Sequence, residues 1–401
     1  MTQLLQPAPG NGGGPPVDTA NLERLIRSSF LLGWRELHLE PRTDGLHIRV
    51  RGPEGLSGLQ KMNAAAAEDL WQQLQQRIGP SLDNDSGRLA SVKFTLLDGE
   101  PVIQADAVIV RTVRGLAATL TLNPASRNPL PLREYGMDPE RAGQLEDLFR
   151  GTGIAALCAK DISHALGPIY SLLTGTAWEA AKVVSLEREP FHDAQHVVQI
   201  AHGGAPAALA ALLPAALALK PDVLLVEGIT TLDDQTAAWL LLEAGAACLT
   251  ALVVPAGGII GGLSYLLHLP RGKFIVETNL RGLASFQIFP RLCRHCRAPV
   301  YLEASAGDSE LPESETPRGY RPVGCSECSQ TGFAGRKTIV ELLFIGEFVR
   351  NSLLRGEPVD KLAALLEGSG ALDGPAQCQQ AIRNGEISIG VAAGADGRYS
   401  F

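Results

Sequence analysis

The middle of the chain alternates short apolar runs with segments of helical pattern, and this alternation restricts the fold more than any other feature. Five such runs follow one another between residues 153 and 254: GIAALC, KVVSLE, VVQI, DVLLVEG and CLTALVV. Each run has the length of a strand, and helical segments separate them. Strands that alternate with helices favour a parallel sheet covered on both faces. The predicted fold class of this part of the chain is therefore α/β.

Four of the seven cysteines form two close pairs that follow this region. The pairs are CRHC (Cys293, Cys296) and CSEC (Cys325, Cys328). Two residues between cysteines let both sulfurs reach one ion, and two such turns complete the tetrahedral thiolate site that is typical of structural zinc. A catalytic zinc is disfavoured, since four cysteines leave no open coordination position. The alternative is four unliganded thiols, and His295 is interpreted as a solvent-facing turn residue.

The sequence around the core predicts further domains. A proline- and glycine-rich start indicates a flexible tail, and the two alternating strands of RELHLEPRTDGLHIRVRG, placed between helical segments, indicate an α+β domain. A linker with several prolines precedes the core, whose first helix has Asp138 as its N-cap. The predicted boundaries are 1–18 for the tail, 19–122 for the N-terminal domain, 123–135 for the linker, 136–292 for the core, 293–345 for the zinc-binding module and 346–401 for C-terminal helices and a tail.

Charge and hydropathy narrow the classes of function. The formal net charge is −8 at pH 7, which argues against general nucleic-acid binding. The most apolar region, 236–269, is interrupted by Glu243, Pro255 and two pairs of glycines. It therefore lacks the roughly 20 apolar residues of a membrane helix. The first residues show neither a basic segment nor an apolar run, so no signal peptide is predicted and a cytoplasmic location is expected.

Several sequence runs resemble one protein family. GCSECSQTGFAGRKTIVEL (324–342), with RLCRHC, is similar to the C-terminal zinc module of the type II secretion and type IV pilus assembly ATPases. WRELHLEP (34–41) resembles the family's N-terminal strand signature, with His38 and Glu40 in the matching places. YGMDPERAGQLEDLFRGTGI resembles the first helix and strand of its core, and KPDVLLVEGITTLDDQTA its Walker B segment. The resemblance runs in order from about residue 20 to residue 350.

This resemblance implies a fold and a cellular setting. The fold would be a RecA-like parallel-sheet core with a C-terminal zinc module held by four cysteines, preceded by a small α+β domain. The subunit would belong to a hexameric ring, homomeric or mixed, on the cytoplasmic face of the inner membrane. Such a ring couples ATP hydrolysis to the assembly or retraction of pilin-like fibres. The implied partners are inner-membrane platform or adaptor proteins, and no nucleic acid is expected among them.

The positions that bind the phosphates in this family carry other residues here. The family's G-x-x-x-x-G-K-[ST] loop falls on residues 159–166. Ala159 and His164 replace its glycines, Ala165 its lysine and Leu166 its serine or threonine. Glycines let backbone N–H groups approach the phosphates, the lysine neutralises them and the hydroxyl holds Mg²⁺. Alanine and leucine can neither neutralise a phosphate nor bind the metal.

The Walker B segment departs from the family as well. Its Gly-Glu pair is reversed as Glu227–Gly228, so the position of the catalytic glutamate is empty, and Thr230 replaces the arginine that follows. Pro255 stands at the histidine of the family's histidine box. Phosphoryl transfer depends on positioning and on cations around the developing charge. The combined losses predict a pseudo-ATPase without catalytic residues, in which Zn²⁺ is the structural cofactor and ATP with Mg²⁺ is a doubtful one.

Other interpretations of the same residues stay open. An active ATPase would need a non-standard phosphate loop, with Lys160 and Glu227 in the roles of the lost lysine and glutamate. The run PAGGIIGGLSYL lacks a following Lys-Ser/Thr and is interpreted as a closely packed strand–helix turn, and HGGAP as an ordinary loop. A hydrolase triad built on Ser163 and His164 is disfavoured, because adjacent residues seldom meet in the required geometry. A zinc-ribbon protein that binds nucleic acid is the third possibility.

Overall fold

The computed structural model describes residues 21–31, 34–52, 55–78, 90–96, 102–124, 128–160, 162–175, 178–301, 318–328, 331–355, 357–368 and 372–394. The chain divides into two compact units. The first unit comprises Met1–Ser126, Leu292–Ala334 and Ser388–Gly394. The second comprises Arg127–Arg291, Gly335–Ile387 and Ala395–Phe401. The predicted N-terminal tail lies outside the described residues.

The first unit contains an antiparallel sheet and two helices from the N-terminal part of the chain. The sheet has the strand order β3-β2-β1-β6-β5-β4. Apolar side chains alternate along β1, so that Leu37 and Leu39 are buried against Leu25 and Ile26 of α1. The elements are α1 (Leu22–Leu31), β1 (Glu36–Arg42), β2 (Gly45–Gly52), β3 (Gly55–Met62), α2 (Ala64–Ile78), β4 (Ala90–Leu96), β5 (Ile103–Thr112) and β6 (Gly115–Pro124).

The second unit begins with a helix whose N-cap is the predicted one. The Asp138 carboxylate accepts a hydrogen bond from the Glu140 N–H at 2.9 Å, and Pro139 occupies the first helical position. The main elements of the second unit are α3 (Pro139–Leu148), β7 (Gly153–Cys158), α4 (Ser163–Leu173), β8 (Val183–Glu187), β9 (Val197–Ala201), α5 (Pro206–Ala218), β10 (Val223–Glu227), α6 (Asp234–Ala247), β11 (Leu249–Val254), α7 (Ile259–His268), α8 (Gly272–Thr278), β12 (Leu280–Leu292), β15 (Phe333–Phe344), α9 (Glu347–Leu354), α10 (Val359–Gly368) and α11 (Gly374–Arg383). The later elements β13 (Ala298–Val300), β14 (Gly319–Arg321) and α12 (Ile389–Gly394) belong to the first unit.

The core of the second unit is a seven-stranded sheet with the order β15-β12-β7-β11-β10-β8-β9. The five predicted runs are β7 to β11, and they are parallel to one another. Successive residues of β7 belong to opposite apolar clusters: Ile154 packs with residues of α5, α6 and α7, and Ala155 with residues of α3 and α4. The prediction of a parallel sheet covered on both faces is therefore confirmed.

The chain leaves and re-enters this sheet around the cysteine pairs. Strands β12 and β15 are neighbours, and the Ile345 N–H donates to the Arg281 carbonyl at 2.8 Å. The residues between these strands carry all four paired cysteines and the two-stranded sheet of β13 and β14. This segment is thus an insertion between two strands of the core sheet. None of the described helices is long and apolar enough to cross a membrane.

Candidate functional site

The carboxyl edge of the parallel sheet is where an α/β protein of this kind binds a ligand. Strands β7, β8 and β10 end at this edge with Cys158, Glu187 and Glu227. Helix α4 begins a few residues after β7, in the place of a phosphate-binding loop and its helix. The residues predicted from the degenerate Walker motifs therefore lie at the expected edge of the sheet.

The loop between β7 and α4 is short, and N–H groups in this loop and in the first turn of α4 have partners within the protein. The Ala159 N–H donates to the Val254 carbonyl at 3.3 Å. The N–H groups of Ala165 and Leu166 both donate to the Ile162 carbonyl at 3.0 Å. Asp161 lies outside the described residues. A phosphate group is bound by several converging free N–H groups, and these three are already engaged.

Ala165, the predicted counterpart of the family's lysine, lies inside the apolar core. Ala165 is 0% exposed and packs in the cluster that includes Ile169 and Tyr170. Leu166 is half-buried against the same cluster, whereas Lys160 is exposed. Ala165 and Leu166, in the first turn of α4, thus contribute to packing of the apolar core.

Helix α4 is held in place by a close approach to the segment that precedes α3. A Cβ atom on Gly167 would lie 2.5 Å from the Tyr135 hydroxyl oxygen, which is closer than any ordinary contact. Pro168 follows within the first turns of the helix. The Ser171 hydroxyl donates to the Leu130 carbonyl and to the Gly167 carbonyl. The start of α4 therefore has little freedom to move toward a nucleotide.

The reversed Walker B pair places its carboxylate against the backbone. Glu227 is half-buried and accepts a hydrogen bond from the Arg188 N–H at 3.0 Å. Its carbonyl is 3.2 Å from His202 Nε2, and His202 Nδ1 accepts from the Gly204 N–H at 3.2 Å. His202 therefore donates through Nε2. Gly228 has a φ of 90°, which favours glycine there and turns the chain away from the strand.

A second carboxyl group at this edge was not predicted from the sequence. Glu187 ends β8 and is 1% exposed. It accepts hydrogen bonds from the hydroxyl groups of Tyr170 and Ser185, the latter at 2.7 Å, and Gln199 donates to Tyr170 at 2.9 Å. Burial, assisted by the charge of Glu227, raises the pKa of Glu187 despite these hydrogen bonds. A glutamate at the end of an otherwise apolar run was the available signal.

Replacing Glu187 by glutamine is expected to change how stability depends on pH. Because the folded-state pKa is raised, the stabilising contribution of Glu187 is present below the ordinary glutamate range and is lost as the pH rises through the folded-state value. Glu187→Gln mimics the neutral acid, so it should be more stable than the wild type at pH 8 and have no advantage at pH 4. Urea unfolding at both pH values measures this difference. Glu140→Gln, on an exposed part of α3, is the matched control and should show no such crossover.

The glycine-rich turn after β11 behaves as a packing element. A Cβ on Gly262 would lie 2.3 Å from the Cys158 sulfur, so α7 packs directly on the end of β7. This close approach explains Gly262, the last glycine of PAGGIIGG. The interpretation of that run as a packed strand–helix turn is confirmed.

The four paired cysteines come together as the sequence predicts. Their sulfur atoms all lie within 4.8 Å of one another, and three of the separations are 3.7, 3.8 and 3.9 Å. Zinc–sulfur bonds of about 2.3 Å in a tetrahedron place the sulfurs about 3.8 Å apart. The set therefore has the donor type, number and spacing that Zn²⁺ requires. The cysteines are Cys293, Cys296, Cys325 and Cys328.

Backbone N–H groups point at the sulfurs of this cluster. The Gly324 N–H donates to the Cys296 sulfur at 3.3 Å. Burial opposes ionisation of Cys328, but the N–H groups of Cys325 and Gly332, at 3.3 and 3.2 Å, help to bring the pKa of this thiol down to about 6. Zinc binds the thiolate form, so these N–H groups favour metal binding.

Two solved structures, an ATPase and a pilus retraction motor, share this architecture. The X-ray structure of the Legionella pneumophila ATPase DotB superposes with a TM-score of 0.65 at 15% identity, covering 96% of this chain and 98% of that one. The crystal structure of the pilus retraction motor PilT with bound ADP gives a TM-score of 0.58 at 16% identity, covering 94% and 96%. The fold is thus that of the secretion ATPases, with a RecA-like core.

Sequence comparison defines the family. The profile of the type II/IV secretion system proteins matches residues 179–389. The chain is 25% identical to type II secretion system protein E of Klebsiella pneumoniae over 347 residues, which cover 85% of this chain and 69% of that protein. It is 21% identical to the type IV pilus assembly ATPase PilB of Thermus thermophilus over 356 residues, 87% of this chain and 40% of PilB. The chain belongs to the type II/IV secretion system protein family.

Proposed function

We propose that this chain is a non-hydrolysing member of the secretion ATPase family, with a scaffold or regulatory role in or beside a hexameric motor. The proposal depends on the burial and hydrogen bonding of the described residues in the stretch 159–166. The lysine position, Ala165, is fully buried in an apolar cluster, and three N–H groups of this stretch already have acceptors within the protein. A triphosphate at this edge would lack the lysine, the metal-binding hydroxyl and several of the amides that bind and activate it in the family.

The partners would be the inner-membrane platform or adaptor proteins of a secretion or pilus machine, on the cytoplasmic side. PilB and protein E, whose names refer to such machines, are the relatives that support this assignment. The ring would contain this chain alone or together with an active relative. Structural Zn²⁺ would be held by the four paired cysteines, whose spacing fits a tetrahedral thiolate site.

Nucleotide binding tests the proposal directly. We expect no saturable binding of a fluorescent ATP analogue with Mg²⁺ up to millimolar concentration, and no ATP turnover that depends on this chain. The control is Lys160→Ala/Glu227→Gln, since these are the groups that a non-standard phosphate loop would use. Residual turnover that is equal in the wild type and in this variant would come from a contaminant. Saturable binding or turnover that the double substitution abolishes would overturn the proposal in favour of an active ATPase.

A further inference from the structure

The second unit contains an ion-pair cluster at the points where the chain passes between the two units. Three of these passages lie between residues 291 and 292, 334 and 335, and 387 and 388. The Glu386 carboxylate contacts Arg291 at the end of β12 and Lys337 near the start of β15. Glu386 itself is two residues before the third passage. Glu386 thus contacts a residue of the second unit near two of the connections and lies beside the third connection itself.

The contacts of Glu386 are short and partly shielded from water. Its Oε1 accepts from Arg291 at 2.7 Å, and its Oε2 accepts from the Lys337 ammonium at 2.9 Å. The three side chains are 19–29% exposed. Burial works against the charge of Glu386, but Lys337 and Arg291 hold its pKa below the usual range. Attraction between partly buried charges is screened less by salt than that of fully exposed pairs.

The backbone fixes Glu386 in this position. Gly385 follows α11 with a φ of 64°, and the N–H groups of Glu386 and Ile387 both donate to the Ala381 carbonyl, at 2.7 and 3.3 Å. Ile387 is fully buried. The carboxylate is therefore presented by the hydrogen-bonded end of a helix, so that it resists movement of the two strand ends.

The second connection, between residues 334 and 335, contains a glycine with a left-handed backbone conformation. Gly335, the first residue of the second unit after the inserted segment, has a φ of 80°. A Cβ at this position would meet no atom within 4 Å. Glycine is therefore required there by the backbone conformation and not by packing, as expected where the chain changes direction. Lys337 lies two residues beyond this bend.

We infer that Glu386 acts as an electrostatic clasp, which ties the end of β12, the start of β15 and the end of α11 into one element that opens and closes together. The inserted cysteine segment is attached to the second unit through two of these ends. Breaking the clasp would loosen these three ends within the second unit without unfolding the core sheet. This inference concerns the connections alone and does not depend on whether the chain hydrolyses ATP.

Amide hydrogen exchange of the full zinc-loaded chain tests the clasp. Glu386→Gln keeps the shape of the side chain and removes its charge. We expect the amides of Phe289 and Arg291 and those at 335–338 and 385–388 to exchange about tenfold faster than in the wild type, while those of β7 and β11 stay unchanged. The exposed Glu140→Gln alters the net charge equally and should leave all three connections unaffected. Equal exchange in both variants, or faster exchange throughout the second unit, would overturn the inference.

A double-mutant cycle tests whether Lys337 acts on the end of α11 through Glu386. Lys337→Met alone should also speed exchange at the end of α11, because Lys337 is one of the two partners that hold Glu386. In Glu386→Gln/Lys337→Met the increase should be no larger than in Glu386→Gln, since the shared contact is already lost. Additive increases would show that the residues act separately, which contradicts the clasp.

Discussion

Replacing Ala165 by lysine is expected to lower the free energy of unfolding by about 3–5 kcal/mol and to restore no nucleotide binding. The substitution introduces a lysine at the predicted counterpart of the family's phosphate-binding lysine. Ala165 is 0% exposed and surrounded by apolar side chains. A lysine there must either bury an unpaired charge, deprotonate or displace the start of α4. Urea unfolding and titration with a fluorescent ATP analogue measure the two effects.

The matched control for this substitution is Ala246→Lys. Ala246 lies in helix α6 and is exposed, so a lysine there should change stability by no more than about 0.5 kcal/mol. If Ala165→Lys were as stable as Ala246→Lys and bound the analogue with Mg²⁺, the buried packing at this position would not be what prevents nucleotide binding. Such a result would contradict the claim that burial of Ala165 and the engaged N–H groups leave no place for a phosphate at residues 159–166.

Removing zinc is expected to unfold the inserted cysteine segment while the core sheet persists. The segment has short strands, β13 and β14, of three residues each, which are too few to fold without a cross-link. Structural zinc supplies on the order of 10 kcal/mol of binding free energy to small domains of this kind. A strong chelator, or Cys296→Ser, should therefore abolish amide protection at 293–301 and 318–328. The strands β7 to β11 should retain theirs.

The control for the zinc experiment is a cysteine away from the cluster. Cys378 in α11 is fully buried but lies outside the four-sulfur group. Cys378→Ser should keep about one zinc per chain, measured by elemental analysis, even if it loses some stability. A wild-type protein purified without zinc, or one whose inserted segment stays protected after chelation, would show that the four thiols fold without metal.

The core strands and the cysteine cluster could be predicted because their signals are local. The apolar runs of β7 to β11 are bounded by turns and helices, and two C-x2-C pairs specify a metal site through their spacing. Strands β3, β12 and β15 were not predicted. GLSGLQKM of β3 has two glycines and few β-branched residues, and β12 contains a glycine and a proline. Strand β3 pairs with its sequence neighbour β2 despite this composition, whereas β12 and β15 take their places through pairing with strands that are distant in sequence.

The candidate nucleotide site was only partly predictable for a related reason. The resemblance predicts which positions lack the family's chemical groups, but it could not show that Ala165 is buried or that the Glu227 carboxylate contacts the Arg188 N–H. Glu187 was missed because its partner Tyr170, and Gln199 beyond it, are 17 and 12 residues away in sequence and belong to other elements. Burial and pairing of a carboxyl group depend on tertiary packing.

The contact between Gly167 and Tyr135 bears on the evolutionary history of the site. A larger side chain at 167 would collide with the tyrosine ring, and a lysine at 165 would enter the apolar layer beneath the helix. Introducing a lysine at 165 would therefore require compensating changes in the apolar side chains that surround it in α4 and its neighbours. Each of these substitutions made alone would reduce stability, so the phosphate loop would not easily be restored by successive single substitutions. Under the proposed function, a lineage that carries this chain would depend on a partner to supply the chemical work.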